Sequence, residues 1–156
     1  MSAAGIERVR IREAEPGEEL FRELIRLSED WEAEGSCYGY RRNGRADLEG
    51  RRVFVAELDG AILGYLFGVS ERAEKMRSIM PDGTPFFEIE ELYVAPAYRS
   101  RGLGGRLFRG AEEALRDGGA AYLLLSTASR NWRAVLHFYI DEMEMSFWSA
   151  RLFKKL

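Results

Sequence analysis

A glycine-rich stretch with flanking arginines, residues 99–105, is the part of this sequence best suited to bind a ligand. It follows an apolar run that ends at Val94, and it opens an amphipathic pattern that starts at Gly102. The first turn of a helix offers free N–H groups and the positive end of the helix dipole. Glycines there let a phosphate approach the backbone, and arginines add charge and bidentate hydrogen bonds. The stretch therefore predicts a diphosphate-binding loop. The arginines of this local basic patch are Arg99, Arg101, Arg106 and Arg109.

Two other phosphate-binding motifs fit the stretch less well. A dinucleotide-binding fold uses Gly-x-Gly-x-x-Gly after a first strand, but Leu107 occupies the third glycine position and the stretch lies past mid-chain. A P-loop needs Gly-Lys-Ser/Thr, which is absent here. A nucleotide-dependent enzyme or binding protein is therefore a weaker interpretation of the loop.

Residues 91–107 resemble the acetyl-CoA signature of the GNAT superfamily of N-acetyltransferases. That signature is Arg/Gln-x-x-Gly-x-Gly/Ala after a strand that ends in a Leu-Tyr-Val triplet, and here residues 99–104 read Arg-Ser-Arg-Gly-Leu-Gly after Leu92-Tyr93-Val94. The order of the elements along most of the chain also matches the family. The resemblance implies direct transfer of an acetyl group from acetyl-CoA to a primary amine in a ternary complex. A non-catalytic acyl-CoA-binding module of the same fold is the alternative.

The resemblance also implies how acetyl-CoA binds. The backbone of Leu92 and Val94 pairs with the pantetheine arm like an added strand, and the N–H groups of residues 100–105 hold the pyrophosphate. The next strand, residues 122–126, is splayed away so that CoA lies between the two strands, where a backbone N–H polarises the thioester carbonyl. The cofactor-binding residues implied in this way are Leu92, Tyr93, Val94, Arg99, Ser100, Arg101, Gly102, Leu103, Gly104, Gly105, Asn131 and Phe138.

A second motif, in residues 129–139, resembles the later helix of the family, an Asn-x-x-Ala helix whose Tyr protonates the departing CoA thiolate. Asn131 and Ala134 fit, but Phe138 occupies the usual Tyr position and Tyr139 follows one residue later. The Gly-Phe pair that normally follows is also missing. A slip of one residue turns a side chain by about 100° on a helix unless a bulge compensates. We predict Tyr139 as the acid because a phenol has a suitable pKa; a core Tyr with a hydrogen-bonded hydroxyl is the alternative.

Direct transfer also needs a base, since a neutral amine is the nucleophile and a carboxylate can take its proton. Glu88, Glu90 and Glu91 lie on the strand that leads to the phosphate loop. In a regular strand Glu88 and Glu90 share a face and Glu91 points the other way, although a bulge would change this. Family members often place a base here, and we rank Glu90 first. A solvated or salt-bridged strand face is the alternative.

The remaining reactive and aromatic residues favour structural roles. Cys37 is the only cysteine and His137 the only histidine, so we expect no intramolecular disulfide and no metal site. Neither residue is favoured as a nucleophile or a base. Trp31, Tyr38 and Tyr40 either line an acceptor pocket or pack in the core.

The apolar patterns place these motifs on a single α/β domain, residues 1–156, with a GNAT-like mixed, largely antiparallel central sheet and helices on both faces. A tight type I′ turn is predicted at Asp59-Gly60, and residues 35–51 are ambiguous between loop and broken helix. Phe147 and Trp148 are expected in the core, with a dimer interface as the alternative. Predicted strands are residues 7–12, 53–56, 62–67, 86–94, 122–125 (buried and central) and 147–153; predicted helices are residues 20–31, 102–116 and 131–140; residues 71–85 are a predicted loop.

Composition narrows the functional class. The 156 residues are 46% hydrophobic and 31% charged with a net charge of −3, which is the balance of a globular chain. A slightly acidic chain argues against nucleic acid as a partner, and no apolar run is long enough for a signal sequence or a membrane span. We expect a cytoplasmic protein whose partners are acetyl-CoA and a small-molecule or peptide amine, with a homodimer as an open possibility.

Overall fold

The computed structural model describes residues 3–156 and contains one five-stranded sheet whose strands lie side by side in chain order. The first three pairings are antiparallel and the last is parallel. This arrangement confirms the predicted mixed, mostly antiparallel sheet. The strands are β1 (Arg10–Ala14), β2 (Arg52–Leu58), β3 (Ala61–Arg72), β4 (Pro85–Val94) and β5 (Tyr122–Leu124).

Two long amphipathic helices cover the two faces of the sheet. Helix α2 (Glu18–Glu34) packs its apolar side on a cluster that includes Val55 and Tyr65, and α4 (Leu103–Asp117) packs on one that includes Leu66 and Phe87. None of the helices in residues 3–156 is long and apolar enough to cross a membrane. The shorter helices are α1 (Ala3–Glu7), α3 (Arg45–Leu48) and α5 (Trp132–Leu136), with a 3₁₀ turn at Pro96–Tyr98 and a π-helical turn at His137–Glu142.

The β2–β3 hairpin has the turn that the sequence predicts. Asp59 and Gly60 connect the strands with φ angles of 51° and 85°. A type I′ turn needs positive φ at both central residues, and its twist matches that of the flanking strands. The Asp-Gly pair therefore fixes the register of the central part of the sheet.

Strand β5 differs from the prediction of a buried central strand. The α4 crossover does bring it parallel to β4, as expected, but β5 is the last strand of the sheet and Tyr122 is exposed. Its apolar run made it look central because fully buried strands have the same composition. Here only one edge of β5 has a strand partner among the described residues.

The two ends of the chain also differ from the prediction. Residues 10–12 are in β1 as expected, but Glu7 ends α1. Residues 147–153 form no strand, and Phe147 and Trp148 are exposed instead of packing in the core. Alternation of apolar residues favours a strand only where a partner edge supplies backbone hydrogen bonds, and the structure pairs this segment with none of the described strands.

Candidate active site

Strands β4 and β5 separate part-way along their length. They pair at Phe86 with Tyr122, at Phe87 with Leu123 and at Glu88 with Leu124. β4 then continues to Val94, bonded to β3 on its other side, while β5 has ended. Residues 89–94 therefore present an edge to which no described strand pairs. Such an edge can bond an extended, amide-containing ligand as it would bond a further strand.

The turn that follows β4 leads into the first turn of α4. Gly102 is the residue before α4 and has a φ of 77°, a left-handed conformation that glycine adopts without steric cost. Gly102, in the N-cap position, has no side chain that could cap the N–H groups of this first turn. A Cβ atom added at Gly104 would lie 3.7 Å from the Phe138 ring and 3.9 Å from a Val94 methyl. The bare backbone at Gly104 thus faces the space between α4, the end of β4 and Phe138, and this space is called the cradle below.

The arginines near this loop mostly hold the protein together. Arg99 donates to the Val94 carbonyl and to Glu34, each at 2.7 Å, and its guanidinium lies 5.2 Å from the Tyr93 ring centre. Arg106 donates to the carbonyls of residues 6 and 9, and Arg109 donates to the carbonyl of residue 142. The sequence predicts these arginines as a phosphate-binding patch, but these three guanidinium groups already have partners within the fold.

Tyr139 lies in a π-helical turn next to this cradle. The Met143 N–H donates to the Phe138 carbonyl at 2.9 Å, a spacing of five residues that defines the wider turn. The ring of Tyr139 packs on Phe138 and Phe108, at 4.9 and 6.1 Å between centres. Because a π turn inserts one residue into a helix, it provides the bulge that a tyrosine displaced by one position requires.

The surroundings of Tyr139 keep its hydroxyl protonated. Burial, and to a smaller extent the charge of Cys37, raise the pKa of Tyr139 to about 12. Cys37 comes near because its loop bonds across to the chain after β5: the Tyr38 N–H donates to Ala128, and the Arg130 N–H donates to Ser36. At neutral pH the phenol is therefore a hydrogen-bond donor.

The three carboxylates of β4 have three different environments. A bulge separates the pairing of Phe67 with Glu91 from that of Gly68 with Ile89, so Glu90 is an extra residue in β4. Ile89 consequently packs with α4, whereas Glu91, two residues on, contacts groups beneath α2. In a regular strand these two side chains would share a face.

Glu88 and Glu90 differ in how far their charge is compensated. Arg51 donates to both carboxylate oxygens of Glu90, at 2.6 and 3.1 Å. Glu88 is half-buried at the last position where β4 pairs with β5. Burial, followed by the charges of Glu90 and Glu71, raises the pKa of Glu88. Glu88 thus has the environment expected of a base, while the carboxylate of Glu90 is held in an ion pair.

Glu91 belongs to a polar cluster beneath α2. Its carboxylate accepts hydrogen bonds from Tyr65 at 2.8 Å and from the Asn43 side chain at 2.9 Å. Burial raises the pKa of Glu91, and these two donors lower it by less. The neighbouring Tyr40 hydroxyl is buried, and among the described residues it has no hydrogen-bond partner of normal geometry. Burial, and next the charge of Glu91, raise the pKa of Tyr40 as well.

Replacing Glu91 with Gln should stabilise the fold at neutral pH. The folded state holds the Glu91 proton more tightly than the unfolded state, so its stabilising contribution is present below pH 4.5 and is lost as pH rises through the raised pKa. The Gln oxygen can still accept, and its amide can donate to Tyr40. Thermal melts should show a gain of roughly 2–4 °C at pH 8, the shift that about 1 kcal/mol produces, and a smaller gain near pH 5.

The matched control is Glu113→Gln on the exposed side of α4, which should leave the pH dependence as in the wild type. If Glu91→Gln melts below the wild type at every pH between 5 and 8, the folded protein favours the charged form of Glu91 and the argument from burial is wrong.

The aromatic residues predicted for the acceptor pocket divide into two groups. Trp31 stacks on Tyr40 at 4.2 Å and on Tyr93 at 5.2 Å, so these rings form a continuous stack under the end of α2. Tyr38 is exposed, with the Arg130 guanidinium 4.1 Å from its ring centre. Trp31 and Tyr40 are thus packed in an aromatic stack, and Tyr38 lies on the surface of the protein.

Comparison with known proteins identifies the family. Residues 11–142 match the family model described as the acetyltransferase (GNAT) family. The chain belongs to this acetyltransferase family. The match covers both motifs, from β1 to the end of the π-helical turn. A search of curated protein sequences found no significant relative.

Solved structures show the same fold as this GNAT acetyltransferase. An aminoglycoside acetyltransferase from an uncultured soil metagenomic sample is 18% identical, with a TM-score of 0.71 over 96% of this chain and 97% of that one. A Trypanosoma brucei acetyltransferase is 19% identical, with a TM-score of 0.66 over 95% and 99%. A transcriptional regulator from Bacillus halodurans C-125 is 20% identical, with a TM-score of 0.70 over 95% and 99%. At such identities the likeness concerns the fold.

Several contacts of this GNAT site could not be found from the sequence. Asn43 and Arg51 reach the β4 carboxylates from two loops and Tyr65 reaches them from β3, and no local sequence pattern predicts such pairings. His137 lies on the exposed side of its turn, 2.8 Å from Asp141. No group of three His, Cys, Asp or Glu side chains in residues 3–156 is arranged to hold a metal ion.

Proposed function

We propose that this GNAT protein transfers an acetyl group from acetyl-CoA directly to a primary amine within a ternary complex. The observation that carries the proposal is the separation of β4 from β5 after Glu88, with the uncapped start of α4 and Tyr139 bordering the gap. The family match supports acetyl transfer, and the cradle at Gly104 supports acetyl-CoA as the donor.

Backbone groups of the protein would bind acetyl-CoA. Backbone N–H groups of residues 100–105 would hold the diphosphate, and the unpaired edge of residues 89–94 would bond the amides of the pantetheine arm. When bound, acetyl-CoA supplies an acetyl thioester. A backbone N–H of β4 would donate to its carbonyl oxygen as negative charge develops there.

Glu88 acts on the proton of the amine, and Tyr139 acts on the departing sulfur. Glu88 accepts a proton from the attacking amine, and its raised pKa makes it a better base than an ordinary carboxylate. Tyr139 donates to the departing sulfur. Because an ordinary thiol has a pKa of about 8.5, complete transfer from Tyr139 is uphill, so its hydrogen bond to the developing charge supplies the stabilisation. Glu88 then releases its proton to solvent, the CoA thiolate takes up a proton from solvent as it leaves, and Tyr139 keeps its own.

The experiment that tests the proposal is a thermal melt with acetyl-CoA, NAD or ATP, followed by a thiol-release assay with a panel of amines. A ligand at about 100 times its Kd adds roughly 2.7 kcal/mol, which should raise the melting temperature by about 5–10 °C. The panel contains a peptide N-terminus, a lysine side chain, a polyamine, an amino acid and an aminoglycoside, the last because a structural neighbour is an aminoglycoside acetyltransferase. A shift without turnover on any amine would indicate a non-catalytic acyl-CoA-binding module.

Replacing Gly104 with Ala should abolish most of the response to acetyl-CoA while leaving the protein folded. The new methyl would make ordinary contacts with Phe138 and Val94 and would fill the cradle. Ala is also favoured over Gly inside a helix by about 0.5–1 kcal/mol, so the melt without ligand should not fall. We expect the acetyl-CoA shift to shrink to less than half and the KM for acetyl-CoA to rise roughly tenfold, the effect of about 1.4 kcal/mol.

The matched control is Gly17→Ala, which places the same methyl in open space before α2, far from the loop in the chain. Its acetyl-CoA shift should equal that of the wild type. An unchanged shift in Gly104→Ala would remove this part of α4 from the cofactor site.

A further inference from the structure

Met143, which directly follows the π-helical turn, is the only buried residue in residues 116–156. It is 8% exposed, and its side chain joins the core cluster to which Leu107 and Phe108 of α4 belong. The other side chains of this part of the chain are exposed or only partly buried. Met143 is therefore the deepest contact by which the segment after β5 is held against α4.

Helix α4 has room for Met143 because residue 105 is glycine. A Cβ atom added at Gly105 would lie 3.2 Å from the Met143 Cε atom, which is closer than an ordinary van der Waals contact. The Met143 methyl group thus occupies space that a side chain at position 105 would need. Arg109 borders the same space, since its Nη1 atom would lie 3.3 Å from the added Cβ, and its Nη2 atom donates to the Glu142 carbonyl at 3.3 Å. The space between Gly105, Arg109 and Met143 is named the Gly105 notch.

Gly104 and the Gly105 notch together hold the two ends of the π-helical turn. The Phe138 ring faces Gly104, and Met143, five residues later, fills the notch. In a regular α-helix, side chains five residues apart point about 140° away from each other. A π-helical turn contains one more residue, so it brings the two side chains towards the same side. The hydrogen bond that closes the turn, from the Met143 N–H to the Phe138 carbonyl at 2.9 Å, joins these same two residues. Packing on α4 therefore favours the π turn over a regular one.

The place of Tyr139 is set by this turn and not by a hydrogen bond of its own hydroxyl. The Tyr139 hydroxyl has no hydrogen-bond partner in residues 3–156. The ring packs on Phe138 and on Phe108 of α4, and the Tyr139 carbonyl accepts from the Met145 N–H at 2.9 Å. If the turn relaxed to α-helical geometry, a shift of one residue would rotate the ring by about 100°.

We propose that Met143 is a positioning residue for acetyl transfer: its side chain, seated in the Gly105 notch, holds the π-helical turn and so fixes the place from which the Tyr139 hydroxyl acts on the departing sulfur. Met143 touches no reacting atom and acts only through Tyr139. The inference rests on the proposed function for the role of Tyr139, whereas the contact between Met143 and α4 is independent of it.

The first test follows the turn itself by amide hydrogen exchange, without any ligand. Met143→Ala empties the Gly105 notch, and the N–H groups of residues 143 and 145, which close the turn, should exchange at least about tenfold faster than in the wild type. The matched control is Met80→Ala, the same change at a Met that is 1% exposed and packs in a separate cluster with Ala73 and Phe86. It should leave these two N–H groups as protected as in the wild type. Equal protection in Met143→Ala would show that Met143 does not hold the turn.

The second test asks whether Met143 acts through Tyr139. Met143→Ala should lower kcat about tenfold or more, because a small misplacement of a catalytic group is costly, while Met80→Ala should not. In a Tyr139→Phe background the same change should cost less than about twofold, since the hydroxyl to be positioned is gone. An undiminished loss in that background, or a loss that lies only in the Kd for acetyl-CoA with kcat unchanged, would disprove the positioning role.

A conservative variant covers the case in which Met143→Ala does not fold. Met143→Leu keeps most of the buried volume, a change that cores usually tolerate, but it has no atom at the place of Cε. It should show the same pattern with a smaller loss of kcat, and a wild-type kcat would contradict the proposal. If the wild type acetylates no amine at all, the proposed function is refuted, and the hydrogen-exchange result alone decides whether Met143 holds the turn.

Discussion

Replacing Tyr139 with Phe should lower kcat roughly 100-fold, the usual effect of removing one donor to a developing negative charge. The Kd for acetyl-CoA should stay within about twofold, because the hydroxyl acts on the departing sulfur and not on the bound thioester. Steady-state kinetics of thiol release, together with the acetyl-CoA thermal shift, measure the two quantities separately. With a pKa of about 12, Tyr139 should cause no loss of activity below about pH 11.

A double variant shows whether the π turn determines this role. Combining Phe138→Tyr with Tyr139→Phe moves the phenol to the position that the family pattern favours without changing composition. Because the Phe138 ring faces Gly104 while Tyr139 packs on Phe108, the swap puts the hydroxyl in a different place and should not restore activity. Recovery in the double variant would show that a hydroxyl at position 138 serves equally well and that the π turn does not determine the role, and full activity of Tyr139→Phe alone would exclude Tyr139 as the donor.

Replacing Glu88 with Gln should reduce kcat/KM by at least about 100-fold at pH 7, within the range for loss of a general base. The amine then has to lose its proton without help, so the deficit should shrink as pH rises towards the pKa of the acceptor amine. In the wild type, protonation of Glu88 should reduce kcat/KM on acidification, at a pH above the 4.5 of an ordinary Glu because burial raises its pKa. A pH–rate profile for both proteins measures this difference.

Glu90→Gln is the matched control on the same strand. Its carboxylate is bonded to Arg51 through both oxygens, so its loss should affect stability more than the rate of transfer. A larger rate loss in Glu90→Gln or Glu91→Gln than in Glu88→Gln would move the base to that residue.

Local patterns in the sequence are sufficient to predict much of the fold. The Asp59-Gly60 turn, the long α2 that ends before Gly35, and the helix that starts after Gly102 each depend on residues close in the chain. The fold class follows because these elements and the crossover leave few possible topologies. The family match is consistent with the two motifs from which the resemblance was drawn.

The site details depend on contacts between distant residues, which a single sequence does not reveal. The bulge at Glu90 exists because two residues of β3 face three of β4, and it changes which carboxylate faces α2. The π turn that contains Tyr139 likewise differs from a regular helix by a single inserted residue, which the sequence pattern does not reveal. The prediction of a last strand at residues 147–153 was wrong because alternation says nothing about a partner strand, and none of the strands in residues 3–156 pairs with this segment.

Arg99 joins the turn after β4 to the end of β4 and to the end of α2. Its guanidinium bonds the end of β4 and the end of α2, where Glu34 also accepts a hydrogen bond from Tyr93. The turn between β4 and α4 is therefore ordered before any ligand arrives. The conformational entropy of the turn is lost when the chain folds and not when a ligand binds there. Association at this loop should accordingly be limited by encounter and not by rearrangement of the loop.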